Sequence, residues 1–175
     1  MNGIFNTVIH ARMKLEALIE EYSAYDHWAN SRFHERLAGE PEAVLDAPVA
    51  SSFPSLRATL MHIRDAEAAW LARLTSAAVH WPAEANMDLL TFMKHVSRMR
   101  DHVRSLNGTA LMEERAYADL KGNRFQQPAW QMLMHCFNHS SFHRGQLVTL
   151  MRALGLGDIP RTDLIVFQRL QQPAR

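Results

Sequence analysis

Apolar side chains along this chain recur at intervals of three and four through four long stretches, the period at which an α-helix returns to the same face. The first stretch runs from about Val8 to Ala38 through Leu15, Leu18, Ile19, Tyr22, Tyr25, Trp28, Ala29, Phe33 and Leu37, with no proline or glycine inside it. Gly39 and Pro41 end it. Glu40–Phe53, rich in Pro, Ala and Ser, reads as a crossing loop with a short helical turn around Glu42–Leu45. A second helix is predicted from near Pro54 and Ser55, because proline suits a first helical turn and serine caps one. Its apolar face carries Leu56, Leu60, Ile63, Ala66, Trp70, Leu71 and Leu74. After a loop at Val79–Ala85, a third helix is predicted over Asn86–Leu106, closed by Asn107-Gly108.

Between Met112 and Gln127 the period changes. Arg115–Leu120 alternates and Lys121-Gly122-Asn123 follows as a turn, which predicts a small β-hairpin. Pro128 opens a fourth helix that runs to about Leu154 and stops at Gly155-Leu156-Gly157, and Pro160–Leu170 reads as one short helix. Four long helices with modest connections predict an all-α fold. The expected architecture is an antiparallel four-helix bundle with a small hairpin before the fourth helix and a short C-terminal helix. A length of 175 residues predicts one domain over 1–175.

Composition narrows the function classes. The formal net charge is +1, from 19 Lys+Arg against 18 Asp+Glu, so no global field favours nucleic acid or an anionic membrane. No apolar run approaches the roughly 20 residues of a membrane span, and Met1–Lys14 lacks the pattern of a secretory signal. The lone cysteine, Cys136, allows no internal disulfide and fits a reducing compartment. The expectation is a cytoplasmic protein without nucleic-acid or membrane partners. Cys136 itself reads as a buried small apolar residue.

The chemistry sits in Trp130–Gly145, WQMLMHCFNHSSFHRG. His135, His139 and His143 recur every four residues and stack along one helix face. Two imidazoles at that spacing reach one metal ion. A third ligand must come from elsewhere, and His62, close to the apolar face of the second helix, is the natural one. Three neutral imidazoles suit Zn²⁺, and also Ni²⁺ or Fe²⁺ with waters completing the shell. The spacing leaves alternatives: His135 in place of His143, or a set of ordinary half-buried histidines with no metal. Ten histidines in the chain make some close pairs a matter of chance. His10, His27, His34, His80, His95 and His102 have no partner at ligand spacing and read as surface or packing residues. Arg144 and Gln146 read as substrate-orienting or helix-tying groups, and Asn138 and His135 as groups that fix ligand tautomers or bond to backbone. Asp65 and Glu67, close to His62, are the carboxylates available as a general base.

His139-Ser-Ser-Phe-His143-Arg144-Gly145-Gln146, preceded by Asn138, resembles the HxxxHRGQ segment of the DinB-like (DinB/YfiT-like) family of metalloenzymes. Tyr25-Asp26-His27-Trp28-Ala29-Asn30 resembles that family's first-helix motif, with Asp26 where relatives often carry asparagine. Leu60-Met61-His62-Ile63 is similar to its second-helix histidine segment, and Tyr117–Gln127 to its tyrosine-containing turn. The resemblance spans nearly the whole chain. It implies a four-helix bundle holding one divalent metal, often nickel or zinc, on His62, His139 and His143, in subunits that commonly dimerise. It also implies thiol S-transfer, with a low-molecular-weight thiol as the small-molecule substrate. Metal-dependent hydrolysis is the second expectation, and a non-catalytic metal-binding or stress-response role the third.

Overall fold

The computed structural model describes residues 14–172. In chain order its elements are α1 (Leu15–Leu37), α2 (Glu42–Leu45), α3 (Leu56–Leu74), α4 (Leu89–Arg104), α5 (Gly108–Met112), β1 (Glu114–Ala118), β2 (Arg124–Pro128), α6 (Ala129–Ala153) and α7 (Leu164–Leu170). The described chain is thus mostly helical, with one two-stranded antiparallel sheet in which Tyr117 pairs with Phe125. The first predicted helix extends to Val8, and that portion lies outside the described residues. No helix of the described chain is long and apolar enough to cross a membrane.

Local chemistry sets the ends. Ser55 caps α3 by accepting from the Ala58 amide at 3.1 Å, and Pro54 lies outside the helix rather than in its first turn. Asp88 caps α4 through the Leu90 amide, which moves its start from the expected Asn86 to Leu89. Asn107-Gly108 does not merely close α4: Asn107 accepts from Ala110 and starts α5. The Gly108 amide donates to Glu16 Oε1 at 2.7 Å, and a Cβ there would meet that oxygen at 2.6 Å, so a larger residue would make the Glu16 carboxylate swing away from this contact. At the far end of α6, Gly155 takes φ 71°, the left-handed turn that the sequence predicts for a stop.

Two apolar clusters fix the directions of the long helices. One joins the last turns of α1 and α6 (Phe33, Leu37, Leu147, Leu150, Met151) to the first turns of α3 and α4 (Leu56, Leu60, Leu89, Phe92). The other joins the beginnings of α1 and α6 (Ile19, Met132, Leu133, Cys136, Phe137) to the ends of α3 and α4 (Leu74, Met99, Val103). α1 and α3 each pack against both α4 and α6. So α1 is antiparallel to α4 and α3 to α6, whereas the consecutive helices α3 and α4 run the same way. The antiparallel reading from sequence does not contain that pair. The physical reason is the length of Thr75–Asp88. The 19 residues of α3 rise about 28 Å, and the connection can reach roughly 45 Å, enough to return along the whole helix. Buried Arg64 ties the returning segment down, donating to the carbonyls of Glu84 and Asn86, while Asp65 accepts from the Ala83 amide at 3.1 Å.

Candidate metal centre

His139 and His143 lie one turn apart on α6, and antiparallel α3 brings His62 against them. His139 Nε2 lies 3.1 Å from His62 Nε2 and 3.1 Å from His143 Nε2. One ligand atom from each of the three lies within 4.8 Å of the others, the one such His/Cys/Asp/Glu set among the described residues. Hydrogen bonds among the rings do not account for this convergence. His143 Nδ1 donates to Gln146 Oε1 at 2.7 Å, so in the neutral ring its Nε2 is a bare acceptor. His139 Nε2–H can then serve His143, but it cannot also accept from His62. One of the two 3.1 Å contacts is left without a proton. A cation between the three lone pairs satisfies all of them. Nitrogens bound at 2.0–2.1 Å to one ion stand ~2.9–3.4 Å apart in octahedral or tetrahedral geometry, which brackets the two 3.1 Å separations from His139.

The surroundings hold His62 and His139 neutral, the state that binds metal. Burial, helped by the nearby His143, pushes His62 down to about 4; burial with His143, His62 and His135 around it pushes His139 down to about 3. Phe53 stacks on His62 with ring centroids 4.1 Å apart and meets His143 edge-on at 5.5 Å. Gln146 in turn donates to Ser52 Oγ at 2.9 Å, so the segment before α3 holds the residue that fixes the His143 tautomer.

Behind the triad lies a second polar group, fully inside the protein. Arg144, 3% exposed, donates to Asp26 Oδ1 at 2.6 Å and Asn30 Oδ1 at 2.9 Å, and to Ser141 Oγ at 2.8 Å. Asn30 donates to both Asp26 and Glu67, and Ser140 to Glu67. Burial first, then the charge and hydrogen bonding of Asp26, hold the Glu67 carboxyl well above the usual carboxylate range. Two motifs far apart in sequence therefore meet: the first-helix segment supplies Asp26 and Asn30, and the HRGQ segment supplies their cation.

The structure brings together His62, His139 and His143 and leaves His135 aside. His135 lies edge-on against Trp70 at 4.8 Å, with its ring 6.1 Å from His139. Asn138 is exposed, while Arg144 ties α6 to α1 and Gln146 orients His143. Asp65 is engaged by Arg64 and Ala83, and Glu67 faces the buried group. His95, expected as a surface or packing residue, is buried and bonded to Glu84 at 2.7 Å; His27 meets Ser97 at 3.2 Å. His10 lies outside the described residues. Cys136 is buried, as its sequence context implies. Sequence reasoning missed Phe53 and Ser52 because both lie in a loop without periodicity, where nothing marks which side chains return to the site.

Comparisons with known proteins bear on the fold and the family. Protein DinB of Bacillus subtilis (strain 168) is 24% identical over 148 residues, covering 78% of this chain and 86% of that protein. The crystal structure of a DinB-like protein from Bacillus cereus ATCC 10987 superposes with a TM-score of 0.57 at 19% identity, covering 77% of this chain and 90% of that one, which shows a shared fold. The DinB family profile matches residues 13–175. On that match, which spans nearly the whole chain, the protein belongs to the DinB family.

Proposed function

We propose that His62, His139 and His143 bind one divalent metal ion, zinc or nickel before iron, and that the protein is a metal-dependent enzyme of thiol S-transferase type. The observation that carries the reading is the convergence of three Nε2 atoms at spacings that inter-ring hydrogen bonds cannot satisfy. An ion bound there would supply Lewis acidity, favouring the thiolate of a low-molecular-weight thiol or the hydroxide of a water. The chain's own residues favour the thiol. Hydrolysis needs a base to take a proton from water, and the two carboxylates close to His62 in sequence, Asp65 and Glu67, are committed elsewhere. A thiol, with a pKa of about 8.5 against about 15.7 for water, needs less help. The protein's part is to keep His62 and His139 neutral and all three imidazoles oriented, with Gln146 setting the His143 tautomer and Phe53 backing His62.

The same reading takes the four long helices as one bundle forming a single domain, in a cytoplasmic protein that pairs as a homodimer. Light scattering across micromolar dilutions tests the pairing, and a monomer mass throughout rejects it. The central experiment is elemental analysis of untagged protein never exposed to nickel resin, beside His62→Ala and His139→Ala. About one equivalent of metal, lost in both variants, is expected. Metal that survives either change rejects the triad. Metal bound tightly in a protein that neither perturbs it with added thiols nor turns over thiol substrates selects the non-catalytic role.

A further inference from the structure

Three aromatic rings from three separate segments touch the imidazoles of the triad. Phe53, ahead of α3, stacks on His62; Trp81, in the connection between α3 and α4, meets His62 edge-on at 5.7 Å; Phe142, on α6, meets His143 edge-on at 5.0 Å. Trp81 is 43% exposed and Phe142 63% exposed, so two large rings present apolar surface to solvent beside a polar centre. Scattered exposed aromatics need no explanation, but rings gathered on one set of polar groups mark a binding surface. Gln146 is already used by His143 and Ser52, and the one buried polar atom of the triad without a partner is His139 Nδ1. Among the described residues no lysine, arginine, aspartate or glutamate hydrogen-bonds to any of the three imidazoles. A multiply charged molecule would find no partner there, whereas a flat apolar group would find three.

We propose that the molecule presented to the triad carries an aromatic or similarly flat apolar group next to its metal-binding atom, received by Phe53, Trp81 and Phe142. This rests on the metal-site reading above and narrows its substrate to aryl-bearing compounds. Trp81 is suited to the role because the residues that follow it are anchored, Ala83 by Asp65 and Glu84 and Asn86 by Arg64. A ring held in place in the free protein loses little freedom when a ligand packs on it.

The test compares two probes that share a metal-binding nitrogen, imidazole and 4-phenylimidazole, on cobalt(II)-loaded protein followed by visible absorption and calorimetry. The phenyl probe is expected to bind the wild-type protein at least ten times more tightly than imidazole. In Trp81→Ala and Phe142→Ala the advantage should shrink to threefold or less at unchanged cobalt stoichiometry. An advantage equal in wild type and both variants overturns the proposal, as does a perturbed cobalt spectrum with imidazole and none with the phenyl probe. A protein that takes up no cobalt defeats the triad reading itself, and the rim falls with it; that outcome is recognised before any probe is added. Conversion of a dimer to a monomer by Phe142→Ala, with the probe ratio untouched, assigns that ring to a subunit contact and removes it from the site.

Discussion

Along two turns of α6, neighbouring residues serve polar groups of opposite kinds. His139 and His143 join His62 in a set that offers only nitrogen lone pairs, while Ser140 and Arg144, each one residue on, join Asp26, Asn30 and Glu67 in a set that brings its own cation. The second group is closed: charge and hydrogen bonds are balanced inside the protein, apart from one Glu67 oxygen that has no partner. The first is balanced only by something added. A buried network that supplies its own counter-charge serves the fold, and a cluster that lacks one is where binding is expected.

The sharpest way to break this contrast is to remove the internal cation. Arg144→Met leaves Asp26, 2% exposed, without its partner, and loss of one member of a buried ion pair costs about 3–5 kcal/mol. Urea unfolding should show that loss, and adding Asp26→Asn to the same chain should restore part of it. A variant as stable as wild type would mean that the network is not what holds α6 to α1.

The converse change, His139→Ala, should do little to the metal-free fold and abolish the response to metal. At free zinc a hundredfold above its dissociation constant the wild-type protein should gain about 2.7 kcal/mol, and the variant nothing. Equal thermal shifts in the two proteins would detach the triad from metal binding. Collapse of the variant's helical content would instead make the centre part of the folding core.

The two groups also differ in how far the sequence reveals them. The i, i+4 histidines show through periodicity alone, and Ser55 and Gly155 announce helix ends because capping and left-handed turns require particular side chains. Spacing leaves the choice of His143 over His135 open, since both lie one turn from His139; the register of α3 along α6 decides it, setting His62 beside His143 and Trp70 beside His135, and that depends on packing. Asp26 and Arg144 stand more than a hundred residues apart, so their pairing is invisible until α1 and α6 are laid side by side. The parallel course of α3 and α4 was equally hidden, because a connection long enough to return along a helix has the same composition as one that does not. Phe53 and Trp81 reach the triad from such connections, where no period foretells orientation.

A finer probe tests whether the triad is held ready before metal arrives. Gln146→Leu removes the acceptor that keeps the proton on His143 Nδ1. Metal affinity, measured by competition with a chelator, should fall about 10–100-fold. Because Gln146 is half-buried, metal-free stability should stay within about 0.5 kcal/mol. Unchanged affinity would show that the rest of the site orients His143 without it.

The smallest expected effect lies in the closed group, and it has a definite sign. Glu67 is held above the usual carboxylate range by burial first and by Asp26 second, with Arg144 partly opposing them. The native protein therefore keeps a proton on Glu67 at pH values where the unfolded chain has released it. A raised native pKa contributes stability that is full below the unfolded pKa and is lost as pH climbs toward the native one. Stability should accordingly decline from the ordinary carboxylate range upward, by less than about 1.4 kcal/mol per pH unit for one proton. Glu67→Gln carries no proton to lose and should flatten that decline above the ordinary carboxylate range, whatever it costs in absolute stability. Parallel curves for the two proteins would mean that Glu67 is ionised in the native state, and that Arg144 balances two carboxylates rather than one.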